Sequence, residues 1–372
     1  MHYKIIDIYQ KGFVIFGGSG FIGKPLGQEL ARLAPSLIVS RDPFPKIHPY
    51  GFVQIDPTAQ EIVAFNPVFA SLYPNYNVWT ANIMLPEKFM VLASVLYSLN
   101  PIIIDTAGVT DVRTSTVKDL VQDIVKTAML CQLMSPPQRL VFISSTEVYG
   151  YSADPNNVFS EDDDLSGLPI NKEQLTAISE LIKYQVKQSI LTQTLMDINP
   201  IVSKFETYNF PARWYYAIAK RISETLVLEQ LNSIVLRLSN VFGAGAEYLQ
   251  PNKVLSVFIG KAFLPEPKFV LQGDGGSTRT FIHLHDVIEA IKLASLSNVK
   301  GIFNITNRDN YISILTLAEL VRDNFNMQVQ IACQGSHDND YFQFDTTKAE
   351  EELGFQSQKS LKEHIENKAV DY

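Results

Sequence analysis

Tyr216 and Lys220 stand four residues apart in Trp214–Leu228, a stretch whose apolar spacing predicts a helix. At that spacing two side chains share one helix face, one turn apart. A lysine ammonium close to a phenol favours the phenolate, so such a tyrosine can serve as base or acid near neutral pH. Many helices carry a Tyr-x-x-x-Lys pair by chance. This one gains weight from Ser145, which follows the apolar run Leu140-Val141-Phe142-Ile143 and could hydrogen-bond the same substrate oxygen. A second group sits far upstream, in Gly17-Gly18-Ser19-Gly20-Phe21-Ile22-Gly23. An apolar strand pattern, Phe13 to Phe16, leads into it and a helical pattern, Leu26 to Leu33, follows, which is the context a dinucleotide site requires. Gly17 permits the tight turn, Gly20 lets the backbone approach a pyrophosphate, and Gly23 lets the helix lie against the strand. The helix N-terminus offers N–H groups and partial positive charge to the phosphates. Together the two groups predict hydride transfer at a carbinol carbon. Tyr216 takes the hydroxyl proton as hydride leaves for a nicotinamide, whose ribose Lys220 can also reach.

The elements that must hold these residues read as an α/β chain. Strand patterns at 13–17, 37–39, 78–79, 101–105, 140–143 and 233–238 alternate with helical patterns at 26–33, 86–99, 119–134 and 214–228. That rhythm predicts a doubly wound parallel sheet of Rossmann type, with ligands beyond the carboxyl ends of the strands. The second strand ends at Ser40-Arg41-Asp42. An acid near this point binds a ribose 2′-OH and an arginine meets a 2′-phosphate. Arg41 at the tip points to NADP; a solvated turn arginine is the alternative. The fourth strand ends in Thr106-Ala107-Gly108, small residues past which a flat cofactor could lie. Residues 43–75 show no period and read as an irregular excursion. Residues 154–210 break the rhythm: an acidic loop, Glu161-Asp162-Asp163-Asp164, precedes a helical stretch from about Lys172 to Met196. The acidic loop reads as a solvated turn and helix start rather than a metal site, because a charge run lacks placed ligands. A turn at 272–276, a helix over 282–296 opened by His283 and His285, a short strand at 302–305 and a helix at 315–324 complete the pattern. Residues 11–235 are expected to form the cofactor domain, with an insert at about 154–210. Residues 236–372 are expected to form mainly a smaller α/β substrate domain, interleaved with the first because 233–238 returns to the sheet.

Composition narrows the class. The chain has 372 residues, 46% of them apolar and 19% charged, a globular balance. Its net charge of −8 and lack of a lysine- or arginine-rich run argue against a nucleic-acid partner. Two cysteines, Cys131 and Cys333, far apart, suggest neither a disulfide framework nor a thiolate metal site, and fit a reducing cytoplasm. The N-terminus lacks a secretory pattern and no apolar stretch is long enough for a bilayer, so no membrane partner is expected.

The motifs together resemble the extended short-chain dehydrogenase/reductase family of nucleotide-sugar epimerases, dehydratases and decarboxylases. The matching pieces, in family order, are Gly17–Gly23, Ser144-Ser145-Thr146-Glu147-Val148-Tyr149-Gly150 and Tyr216-Ala217-Ile218-Ala219-Lys220. Arg237-Leu238-Ser239-Asn240-Val241-Phe242-Gly243 comes next, followed by Gly273-Asp274-Gly275 leading to Arg279-Thr280-Phe281-Ile282-His283. Asp345-Thr346-Thr347-Lys348 with Leu353-Gly354-Phe355 closes the series. The resemblance implies that Ser145, Tyr216 and Lys220 form the catalytic triad and that Gly17, Gly20, Phe21, Ile22 and Gly23 bind the pyrophosphate. Asn82 and Ile83 would line the adenine, and Asn240 and Arg279 would hold the substrate's nucleotide diphosphate. It also implies a homodimer built on two helices per subunit.

Glu147 matches the glutamate of an acidic pair that, in the 4,6-dehydratases of this family, moves a proton from C5 and expels the C6 hydroxyl. Thr146 stands where many of them have Asp, and where others and the uronate decarboxylases have a hydroxyl residue. Ser145-Thr146-Glu147 and the preceding Arg213-Trp214 therefore lean to dehydratase or uronate decarboxylase chemistry, while Glu147 as a structural carboxylate stays open. An NADPH-dependent 4-ketoreductase, suggested by Arg41, and a non-catalytic NADP-binding sensor or scaffold are the rivals. The intact triad argues against the second. Two features depart from the family: Asp105-Thr106-Ala107-Gly108 replaces the usual histidine and second alanine, and Ser145 and Tyr216 lie 71 residues apart. The insert responsible could be a lid, a dimer contact, a specificity element or a surface decoration.

Overall fold

The computed structural model describes residues 12–18, 20–34, 36–40, 100–108, 116–163, 167–243, 253–336 and 338–370. It adds positions 93, 96 and 97 and the backbone of three short strands between 53 and 80. A nine-stranded sheet organises it. Its strands are β1 Phe13–Phe16, β2 Ser36–Ser40, β3 Val53–Ile55, β4 Ile62–Ala64, β5 Tyr76–Thr80, β6 Ile102–Asp105, β7 Leu140–Ser145, β8 Ser233–Leu238 and β9 Gly301–Ile305. They lie in the order β9-β8-β7-β6-β1-β2-β5-β3-β4. β1 pairs in parallel with β2 and β6, β2 with β5, and β6 with β7, while β3 and β4 pair antiparallel. β1, β6, β7 and β8 are buried along their whole length. Side chains on both faces of such strands are covered, which is why the sequence reads there as mainly apolar runs. Strand order runs outward in both directions from β1, so the switch point, where doubly wound sheets bind ligands, lies between β1 and β6. This is the expected Rossmann-type arrangement.

Three expectations need correction. The stretch 43–75 is not wholly irregular, since it supplies β3 and β4. His283 does not open a helix: Thr278–His283 is a strand, and the helix begins at Leu284. Strand and helix adjoin there without a breaking residue, so no sequence signal separates them. The long helix expected to Met196 stops at Thr192, where Gln193 turns left-handed at φ 53°.

The chain divides into two compact units. One comprises Met1–Ser144, Leu168–Leu236 and Ile291–Ile302, and the other Ser145–Gly167, Arg237–Ala290 and Phe303–Tyr372. The first contains helices α1 Gly23–Ala31, α2 Val117–Leu133, α3 Lys172–Thr192, α4 Asn199–Tyr208 and α5 Tyr215–Leu228. Arg139 ties its distant segments. Nε and Nη2 donate to the Ala294 carbonyl at 3.1 and 2.7 Å, Nη2 also to Val299 at 2.6 Å, and Nη1 to Asn232 at 3.0 Å. The second unit packs an apolar core around Phe242, Phe258, Phe269 and Phe281, with an aromatic cluster of Tyr149, Phe342 and Phe344 flanked by Phe159. In that cluster the Tyr149 hydroxyl donates to Asn304 at 2.7 Å, and the Asn304 N–H donates to the Glu161 carboxylate at 2.6 Å. The acidic loop is thus not purely a solvated turn: Glu161 straps it inward. Among the described residues no cluster of metal-ligating side chains occurs.

Candidate functional site

The first unit holds the cofactor-type residues. After β1, Gly17 adopts φ +76°, and its N–H donates to the Val39 carbonyl at 2.9 Å. A Cβ on Gly17 would lie 2.6 Å from the Ala107 backbone, and one on Gly23 would lie 2.3 Å from the Gly17 carbonyl oxygen. No other residue fits either place. Gly20 is exposed, Phe21 and Ile22 are half-buried, and α1 starts at Gly23 with no side-chain cap. The loop therefore presents an uncapped helix start beside open backbone, a fit for a pyrophosphate.

Across the switch point, the turn after β6 is held from below. Thr106 donates twice to the Phe16 carbonyl, from N–H at 3.0 Å and from its hydroxyl at 2.7 Å. Lys126 of α2 donates to both oxygens of the fully buried Asp105, at 2.9 and 2.8 Å, and to the Ala107 carbonyl at 2.9 Å. The Ala107 N–H goes to Asp105 at 3.1 Å. Both polar backbone groups of Ala107 are thus spent inward, and its carbon atoms face Gly17. Gly108 abuts the catalytic-type lysine: a Cβ there would meet Lys220 Nζ at 2.9 Å and Asp123 Oδ2 at 3.1 Å. Lys220 is buried on α5. Its Nζ donates to the Ile143 carbonyl of β7 at 3.1 Å and lies 5.9 Å from the centre of the half-buried Tyr216 ring.

The second unit holds the remaining residues. Ser145 caps a short turn over Thr146–Tyr149, its hydroxyl accepting the Glu147 N–H at 3.3 Å. The buried Thr146 hydroxyl donates to the Leu238 carbonyl at 3.3 Å. Glu147 is half-buried as a residue, but its carboxyl end is hemmed in. Burial pushes it above the ordinary glutamate range; Arg279 and Lys253 pull it down and Asp340 pushes it further up. Arg279 is itself held, Nη1 donating to the Thr278 carbonyl at 2.6 Å while the guanidinium stacks 4.6 Å from the Phe342 ring. Asn240 lies on the parallel neighbour of the Arg279 strand, paired with Phe281, and donates to the Thr280 carbonyl at 3.3 Å.

Residues 192–306 match the profile of the NAD dependent epimerase/dehydratase family. A UDP-N-acetyl-alpha-D-glucosaminuronate decarboxylase of Bacillus cytotoxicus is 24% identical over 314 residues, 81% of this chain and 76% of that protein. Among solved structures, dTDP-glucose 4,6-dehydratase from Bacillus anthracis, in complex with NAD, superposes with a TM-score of 0.64 at 18% identity, covering 97% of this chain and 96% of that one. UDP-glucuronic acid 4-epimerase from Bacillus cereus, with UDP-glucuronic acid and NAD, gives 0.64 at 19% identity, covering 96% and 98%.

The structure gathers Gly17, Gly20, Phe21, Ile22, Gly23, Ala107, Tyr216 and Lys220 within one unit, and Ser145, Thr146, Glu147, Asn240 and Arg279 within the other. Arg41, Asn82 and Ile83 lie outside the described residues. Sequence reasoning missed Lys126, Lys253 and Asp340. Asp105 was the available signal for Lys126, since an acid ending an apolar strand needs a buried cation. Nothing in the sequence marked the other two.

Proposed function

We propose that the chain is an NAD(P)-dependent enzyme that modifies a nucleotide-linked sugar through a transient 4-keto group, by 4,6-dehydration or uronate decarboxylation. The observation that carries this reading is the Glu147 carboxyl, raised by burial and set among Arg279, Lys253 and Asp340. A carboxyl that holds its proton more tightly than an ordinary glutamate is suited to protonate a departing hydroxyl. The decarboxylase relative supports the same reading. The first unit would bind the cofactor and most of the second the sugar nucleotide.

The bound nicotinamide would supply a reversible hydride acceptor. Gly17–Gly23 and the uncapped start of α1 would hold its pyrophosphate, with Ala107 as a carbon surface beside them. Tyr216 removes the C4 hydroxyl proton, Lys220 stabilises the phenolate, and Ser145 orients the hydroxyl. The resulting ketone acidifies C5 or labilises a C6 carboxylate, and Glu147 is the second acid/base. Thr146, whose proton goes to Leu238, holds the turn. Arg279, with Asn240, would clamp the diphosphate through charged hydrogen bonds. A preference for NADP rests on Arg41 and is decided by comparing the two dissociation constants. A cytoplasmic setting agrees with two free thiols. Among the described residues no helix is long and apolar enough to cross a membrane. The homodimer that the resemblance implies is tested by the light-scattering mass of the full-length chain.

Mass spectrometry on a panel of nucleotide sugars tests the reading. Loss of water identifies a dehydratase and loss of carbon dioxide a decarboxylase. An unchanged mass, or stoichiometric consumption of NADPH, rejects both.

A further inference from the structure

The segment 171–210 joins the strand that ends in Ser145 to the helix that carries Tyr216 and Lys220, and it folds as the hairpin of α3 and α4. Asn171 and Gln174 form a capping box at its start, and Ser189 and Gln193 close α3 at its end. A helix laid on one surface buries one stripe. α3 does so, with Ile178, Ser179, Ile182, Val186 and Ser189 buried on one side, while Tyr184 and Leu191 stand exposed on the other. α2 behaves differently. From Thr127 to Cys131 every residue is buried, more than a full turn of the helix, so something beyond the sheet encloses it there. The enclosing elements are α5, α3 and α4, all of this chain. α4 contributes Ile201 and Phe205, and Lys183 of α3 pairs with Glu229 just past the end of α5. At the seam of three helices a small pocket is lined by Ala128, Cys131, Lys183, Val186, Leu226 and Glu229.

We propose that the α3–α4 hairpin is a built-in partner. It closes the α2–α5 pair from within the same chain, so no second copy packs on that face. The helix bearing Tyr216 and Lys220 takes its outer support from this hairpin. The inference does not depend on which reaction the enzyme performs.

Cys131 reports on the seam. It is buried, and its thiol is pushed up to about 12 by burial and the nearby carboxylates of Asp105 and Glu229. In full-length chain carrying Cys333→Ser, the labelling rate of Cys131 by a neutral maleimide is measured over a hundredfold dilution, beside the light-scattering mass. The expected rate is slow and independent of protein concentration. A rate that climbs on dilution overturns the proposal, because a departing second copy would then be what uncovers the thiol. Ile182→Asp, which places a carboxylate in the α3 stripe, should speed labelling at least tenfold and make the chain self-associate. Ile182→Ala, which keeps the fold, should speed it severalfold. Labelling unchanged in Ile182→Ala, or in a folded Ile182→Asp, shows that the hairpin covers nothing and rejects the idea.

Discussion

Folding lifts the Glu147 carboxyl above its ordinary value of 4.5, because burial outweighs the pull of Arg279 and Lys253. The native chain therefore holds that proton more tightly than the unfolded chain does. Stability is undiminished below 4.5 and falls as pH rises from there through the raised value. Glu147→Gln keeps the shape and removes the titration. Melting curves across pH should show little gain for this variant at pH 4, a gain that grows as pH rises, and a plateau beyond the raised value. A constant difference at every pH would mean the carboxyl is not hemmed in. Its turnover should drop by roughly 10²–10⁴, the usual worth of a positioned acid. In the proposed mechanism Tyr216→Phe removes the base and leaves the glycine loop intact. Turnover should vanish while NAD binding, measured by calorimetry, stays within about threefold, since in that reading the loop would supply most phosphate contacts. Persistent turnover would move the base elsewhere.

Among the elements, the turn after β6 has the clearest energetic signature. Lys126 pairs with an Asp105 that has no access to water. Lys126→Met would leave that carboxylate buried alone, at a cost of about 3–5 kcal/mol. Adding Asp105→Asn should recover much of the loss, and denaturant titration of both variants measures it. Failure of the double variant to recover would show that Lys126 acts mainly through the Ala107 carbonyl. This turn also marks how far the sequence could be read. β1, β6, β7 and β8 were legible because both their faces are buried and each carries a run of at least three apolar residues. The Gly17–Gly23 loop was legible because two of its glycines admit no Cβ. β3 and β4 were not, since three-residue strands are too short to show a period. Lys126 was invisible for another reason: a lysine on a helix looks the same whether it faces water or a buried acid. Glu147 could be picked out as a candidate, but its company of Lys253 and Asp340 is set by residues distant in sequence.

At the scale of the whole molecule, the two units are threaded through one another in sequence. Ile291–Ile302 belongs to the first unit although it comes after most of the second. Arg139 depends on it, bonding the carbonyls of Ala294 and Val299, and burial draws its guanidinium down to about 10. A fragment ending at residue 236 would strand that guanidinium and strip the edge from the sheet. Such a fragment should be insoluble, or should melt without a cooperative transition by circular dichroism. A well-folded fragment would show that the late segment is dispensable. The hairpin has a different kind of consequence. Where two copies of one chain meet about a twofold axis, each patch must complement itself and every mutation strikes twice. α3 and α4 share no such symmetry with α2 and α5. Evolution can alter either side of that contact alone, one residue at a time, with no mirrored change to accommodate.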